Sequence, residues 1–287
     1  MPGVRIDLHT HSSASDGTDT PADLVRIAAA AGLDVVAITD HDTTRGWDEA
    51  LAARPAGLTV LRGTEFSCRY VAPGGRRVNL HLLGYLFDRD DPPLRAARAR
   101  LRSSRRDRGK IIVDRMTAAG LPIDWQAVSA LAGGGTVGRP HIARALVRAG
   151  VVASVDEAFA GPVSSRAPYY EPKADLDVLE TIALIRGAGG VTVFAHPIAT
   201  RRGPVVPDEA VAAMAAAGLD GLELDHPDHG PADRDRARAL ARELGLVTTG
   251  SSDYHGSNKA TPIGTCTTAP DSYEALVARP TALSPAG

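Results

Sequence analysis

The chain has 287 residues, 44% hydrophobic and 23% charged, with a formal net charge of −2. That is long enough for one large α/β domain carrying an insertion, and too nearly neutral to hold nucleic acid by bulk positive charge. No window approaches the ~18 uninterrupted apolar residues of a membrane span. The opening residues lack the apolar stretch of a secretion signal, and two cysteines, Cys68 and Cys266, make no disulfide framework. A soluble, cytoplasmic protein with no obligate protein partner is therefore expected.

In chain order, Val4–Leu8 reads as a strand running into His9-Thr10-His11. A helix over 21–31 follows, with Thr20 as its cap ahead of Pro21. Val35-Val36-Ala37-Ile38 has the continuous, β-branched character of a strand buried on both faces. A helix near 47–53 and strands over 58–64 and 78–85 come next. From 90 to 172 the rhythm breaks into consecutive helices, 93–120, 125–132, 141–149 and 155–159. Alternation then resumes: helix 176–188, strand 191–195, helix 207–217, strand 221–224, helix 231–244 and strand 246–249. Strands alternating with helices imply a parallel sheet wrapped by helices. Seven of them predict an α/β fold of the TIM type, a (β/α)7 barrel one unit short of eight. Residues 1–89 and 173–287 would form the barrel and 90–172 an inserted all-helical subdomain. The tail, 278–287, is expected to be mobile.

His9 and His11 are two apart on a strand, so both side chains leave on one face, a start for a metal site. Asp7 shares that face and is placed to orient one of them. Further ligand-type residues recur where strands end: Asp16 after the first, Asp40-His41-Asp42 after the second and Glu65 after the third. His81 lies within the fourth, His196-Pro197 ends the fifth, and Asp253-Tyr254-His255 follows the seventh. In a barrel these ends gather at one mouth. Six neutral histidines with Asp16, Glu65 and Asp253 carry a charge of −3, so three divalent ions would leave a net positive site suited to a phosphate dianion.

The motifs Asp7-Leu8-His9-Thr10-His11, Ser15-Asp16-Gly17, Thr39-Asp40-His41-Asp42, Gly63-Thr64-Glu65, Phe194-Ala195-His196-Pro197 and Ser252-Asp253-Tyr254-His255 resemble the PHP (polymerase and histidinol phosphatase) superfamily. Most similar is its branch of small bacterial phosphoesterases with a helical insertion. The resemblance implies a distorted seven-stranded, TIM-like barrel and a trinuclear site with manganese, iron or zinc, manganese being the first choice. By analogy His9, His11, Glu65 and Asp253 hold one ion. Glu65 bridges to a second, held also by His81 and His196, and Asp16, His41 and His255 hold the third. Asp7 and Asp40 are expected to support these ligands. The amidohydrolase superfamily also opens with His-x-His but often bridges its metals with a carboxylated lysine. None of Lys110, Lys173 and Lys259 follows a barrel strand, whereas Glu65 does.

The expected chemistry is metal-assisted hydrolysis, in which hydroxide between two ions attacks phosphorus in line with the leaving oxygen. The expected substrate is a small phosphorylated molecule, a nucleoside monophosphate or 3′,5′-bisphosphate. A 5′-to-3′ exoribonuclease acting on short RNA and a histidinol phosphatase are the alternatives, with a non-catalytic PHP module behind them. Arg139 and His141, in Gly138-Arg139-Pro140-His141, are candidate substrate contacts from the insertion. Arg201, with its neighbour Arg202, and Lys259 are further ones. His226 and His229 face the mouth as non-ligands. The cation-rich stretch Arg95–Lys110 reads as a solvated helix, with a nucleic-acid track as the competing reading.

Overall fold

A computed structural model describes residues 3–287. The first strand, β1 (Ile6–Asp7), pairs in parallel with β2 (Val35–Ile38). Between them lies α1 (Pro21–Ala30), started by Thr20, whose hydroxyl accepts the Asp23 N–H at 3.0 Å. After α2 (Trp47–Ala53) comes β3 (Thr59–Val71), parallel to β2.

The expected all-parallel sheet fails at the next step. β3 runs on to Val71 and forms an antiparallel hairpin with β4 (Arg77–Tyr85), and β4 pairs antiparallel with β6 (Val191–Phe194). No helix separates β3 from β4, and Gly74 and Gly75 at φ +88° and +84° make the tight turn, so only the antiparallel pairing is open to them.

The inserted helices are α3 (Pro92–Ala118), α4 (Trp125–Ala132), α5 (Arg139–Arg148) and α6 (Val155–Ala160). A two-residue strand, β5 (Leu176–Asp177), returns the chain to the edge of β3 and leads into α7 (Val178–Gly187), whose cap is Asp177. The rest alternates as expected: α8 (Asp208–Ala216), β7 (Gly221–Asp225), α9 (Pro231–Leu244) and β8 (Val247–Gly250). A tenth helix, α10 (Pro270–Val277), was not expected.

The sheet runs β1-β2-β3-β4-β6-β7-β8 and nearly closes. Its seam is bridged by His11 N–H to the Tyr254 carbonyl and Thr268 N–H to the Ile6 carbonyl, both 2.8 Å. Strand alternation divides the core: Val35, Ala37 and Leu61 fill the barrel, while Val36, Ile38 and Val60 face the helices. The insertion has its own core around Ile112, Met116, Ile142 and Leu146, but Leu94 and Leu101 of α3 pack with the barrel, so this helix belongs to both units. The tail is not loose: Ala286 pairs with Val60, Leu283 packs on the core, and the Arg62 guanidinium donates to the Ser284 carbonyl. Among the described residues no helix is long and apolar enough to cross a membrane.

Candidate metal centre

All nine predicted ligands converge at one mouth of the barrel, around Glu65. Its Oε2 lies 3.2 Å from His9 Nε2, 3.1 Å from His11 Nε2 and 3.1 Å from His41 Nδ1. Its Oε1 lies 2.7 Å from His81 Nδ1 and 3.1 Å from His196 Nε2. His81 reaches this end because β4 runs backwards, which sets it opposite Ser67, two residues past Glu65. Asp253 Oδ1 stands 3.4 Å from His11 Nε2 and 3.4 Å from His255 Nδ1. Asp16 Oδ1 is 3.5 Å from His255 Nε2 and its Oδ2 3.7 Å from His41 Nε2.

The donors form three overlapping groups with ligand atoms mutually within 4.8 Å: His9, His11 and Asp253; His41, Glu65 and His81; and His11, Asp16, His41 and His255. This differs from the sequence expectation in that His41 joins the second group and His11 the third, while Glu65 is absent from the first group and His196 from all three, standing beside them at 3.1 Å from Glu65 Oε1. His9 Nε2 and His11 Nε2 point at one another across 3.0 Å, and the buried Nδ1 atoms of His11, His41 and His81 make no well-aligned hydrogen bond among the described residues, although the last two lie 3.1 and 2.7 Å from Glu65 oxygens. Converging lone pairs on nitrogen beside buried carboxylates are the donor set that divalent cations satisfy.

The local field divides these histidines. Burial alone would drive the pKa of His9 down, but the Glu65, Glu223 and Asp253 carboxylates raise it well above the ordinary value. Against the same burial, bonds to Asp253 and Glu65 lift His11 to about 9. Burial wins at His196 and His255, both held near 3, helped by Arg202 and Lys259 respectively. Burial opposes ionisation of Glu65, yet His81, His41 and His9 hold its carboxyl well below the usual range.

The two predicted supporting residues act on the frame around the ligands. Asp7 does not orient an imidazole: it accepts the backbone N–H groups of His9, Ser252 and Gly264 and the Ser252 hydroxyl, buckling the barrel seam. The reason is position, since the strand is cut short and the side chain turns into the gap between β1 and β8. Asp40 accepts the Ser12 N–H and hydroxyl and the Ser15 hydroxyl, holding the loop that carries Asp16.

The residue that orients His9 is Glu223, on β7, which the sequence reading missed. Its Oε1 receives His9 Nδ1–H at 3.0 Å and its Oε2 the His196 backbone N–H at 2.7 Å. A buried glutamate inside the Gly221–Asp225 strand was the available signal. Asp42, His196 and Asp253 have φ of +57°, +34° and +50°, so the mouth holds three non-glycine residues in the strained left-handed region.

The predicted substrate contacts lie as follows. Arg139 stacks on the Phe159 ring at 5.4 Å and donates to the Val163 carbonyl, inside the insertion. His141 is buried, its Nδ1 accepting the Gly138 N–H at 3.0 Å. Arg201 and Arg202 are both exposed, but the Arg202 guanidinium bridges Asp228 and the buried Asp253. Lys259 Nζ also binds Asp253 Oδ2, at 2.5 Å, so two cations hold the oxygen of Asp253 that faces away from His9 and His11. His226 Nε2 approaches the same oxygen at 3.4 Å, and His229 bonds backbone at both ring nitrogens.

The Arg95–Lys110 stretch is neither wholly solvated nor a continuous track. Arg98, Arg105 and Arg108 are buried against the barrel and the returning chain, whereas Arg95, Arg100, Arg106 and Lys110 are exposed. Helical periodicity divides the cations between two faces.

An α/β barrel with histidines and carboxylates converging at its mouth defines a metal-dependent hydrolase. The PHP domain matches residues 7–105, and the chain belongs to the PHP family. It is 32% identical over 252 residues to a 5′-3′ exoribonuclease of Haemophilus influenzae, covering 88% of this chain and 90% of that one. It is 31% identical over 254 residues to the 3′,5′-nucleoside bisphosphate phosphatase of Chromobacterium violaceum, covering 88% and 87%. The crystal structure of a Bifidobacterium adolescentis protein assigned as a metal-dependent phosphoesterase superposes with a TM-score of 0.91 at 39% identity, over 96% of both chains.

Proposed function

We propose that this protein is a metal-dependent phosphoesterase that removes phosphate from small nucleotides, nucleoside monophosphates or 3′,5′-bisphosphates. The observation that carries the reading is the overlap of three ligand groups through His11 and His41, centred on Glu65. His9, His11 and Asp253, with Glu65, would hold one ion. Glu65, His81, His196 and His41 would serve a second, and Asp16, His41, His255 and His11 a third, with manganese first and iron or zinc as alternatives. Such ions supply Lewis acidity toward a phosphoryl group and activate water.

The chain's own residues prepare the site for that chemistry. Glu223 accepts the Nδ1 proton of His9 and so leaves its Nε2 lone pair facing the cluster. Arg202 and Lys259, on the outer oxygen of Asp253, add positive charge beside the mouth where a phosphate dianion would sit. Residues 90–172 act as a lid on the barrel formed by 1–89 and 173–287. The lid's Thr136 N–H bonds the Ala14 carbonyl, close to the loop of Asp16, and limits the access of water.

The name of the Haemophilus influenzae relative and the exposed face of Arg95, Arg100, Arg106 and Lys110 favour a second reading, 5′-to-3′ exoribonuclease activity. The deciding experiment is phosphate release by manganese-loaded protein from AMP, 3′,5′-bisphosphoadenosine, histidinol phosphate and a 5′-phosphorylated RNA oligomer, with His41→Ala as control. Release from the mononucleotides, lost in the control, is the expected result. Shortening of the oligomer alone would replace this reading with the nuclease, and release from histidinol phosphate alone would replace it with that phosphatase.

A further inference from the structure

The lid and the barrel meet on one aspartate that is not a ligand. Asp42 follows His41 directly, is fully buried, and sits at φ +57°. Its Oδ1 accepts the Ser67 N–H at 2.8 Å and its Oδ2 the Ser67 hydroxyl at 2.9 Å. The remaining partner comes from the lid helix: Arg105 Nε lies 2.5 Å from Asp42 Oδ2, and Arg105 Nη2 donates to Ser67 Oγ at 2.6 Å. Arg102, one turn earlier, donates to the Asp42 carbonyl at 3.1 Å. The returning chain closes on the same place, with the Lys173 ammonium 3.0 Å from the Asp175 carboxylate and Arg69 of β3 donating to the Asp175 carbonyl.

Arg105 faces a second acid as well. A methyl group built on Gly138, at the start of α5, would stand 3.5 Å from Asp16 Oδ2 and 3.7 Å from Arg105 Nη1, so both flank the same glycine. The guanidinium thus reaches from α3 to the residue after His41 and to the neighbourhood of Asp16, two members of the group His11, Asp16, His41 and His255.

We infer that Arg105 is a positioning residue that makes the two metal groups sharing His41 depend on docking of the lid. With the Asp42–Arg105 pair formed, the strained backbone after His41 is held and the His41 ring stays turned into the cluster. With it broken, a buried carboxylate loses its only cationic hydrogen-bond partner among the described residues, and the turn is free to relax. The group of His9, His11 and Asp253 lacks His41 and has no such tie to α3. Loss of the lid contact should therefore weaken the two groups that share His41 and spare the group of His9, His11 and Asp253. This inference rests on the ligand assignment proposed above.

The test compares wild type, Arg105→Gln, Arg105→Lys and Arg106→Gln. Arg106 is the exposed neighbour, so its variant makes the same charge change outside the contact. Bound manganese is measured by equilibrium dialysis and lid mobility by hydrogen exchange in α4 to α6, each after a cooperative melt is confirmed. In Arg105→Gln the two ions held through His41 should bind about 10- to 100-fold more weakly, with faster exchange in the lid and unchanged affinity for the ion of His9, His11 and Asp253. Arg105→Lys should recover part of that loss, and Arg106→Gln should match wild type. If Arg105→Gln does not fold, Asp42→Asn breaks the same pair and should give the same selective loss. Manganese affinities equal to wild type in the folded variant, or a uniform weakening of every ion, would overturn the inference while leaving the phosphoesterase reading intact. Wild type that binds no manganese would refute the ligand assignment and the inference with it.

Discussion

Glu223→Gln tests how the centre is built. The two side chains have the same shape, so packing is preserved while the charge and the hydrogen-bond pattern change. Glu223 presents acceptors in two directions, to His9 Nδ1–H at 3.0 Å and to the His196 N–H at 2.7 Å. A glutamine offers one acceptor and one donor, so one of these contacts must fail. If the amide nitrogen faces His9, the imidazole shifts its proton to Nε2 and loses the lone pair aimed at Glu65 and His11. If it faces His196, two N–H groups oppose each other at a backbone already held at φ +34°. Either arrangement spoils one ligand. Losses of this kind weaken metal binding by about 10- to 100-fold, or roughly 1.4 to 2.7 kcal/mol. Titration calorimetry with manganese, beside kcat measured at saturating metal, reads the effect. Unchanged manganese affinity in a folded Glu223→Gln protein would refute the claim that this carboxylate sets the tautomer of His9 and the position of His196.

Two further predictions concern protons and the lid. In the metal-free protein His11 titrates at about 9, so its contribution to stability is complete below pH ~6.5 and lost as pH rises through 9. His196 and His255, held near 3, act in the opposite sense, their contribution disappearing as pH falls from ~6.5 toward 3. Thermal melts of chelated protein should therefore peak near pH 6.5, and a Tm that is flat from pH 6.5 to 9 would contradict protonation of His11. At Gly135 an added Cβ would meet the Ala14 carbonyl oxygen at 2.8 Å and the Ser13 and Ala132 carbonyl oxygens at 2.9 Å. Gly135→Ala should cost about 1 to 3 kcal/mol and loosen the lid from the Asp16 loop. Denaturant melts and proteolysis of the lid measure it, and an unaltered midpoint would show that this contact does not fasten the lid.

Much of this protein was legible in the sequence because its signals are local. Val35–Ile38 has to be buried on both faces, His9 and His11 must share a side of their strand, and Thr20 before Pro21 starts a helix in isolation. The ligand-type residues announced themselves by recurring at strand ends, a regularity visible without coordinates. What was misread depends on partners distant in sequence. The direction of β4 hangs on two glycines and on its pairing with β6, more than a hundred residues away, and that reversal is what delivers His81 to Glu65. The division of the α3 cations into inward and outward sets waits on which face meets the barrel. The roles of Asp7 and Glu223 exchange because a carboxylate acts on whatever donors the closed barrel brings to it, here Ser252 and Gly264 for one and His9 and His196 for the other. Residue chemistry and spacing determined which side chains could form the centre; only closure of the barrel, which fixes distances between strands, decided which of them touch the ligands and which hold the frame.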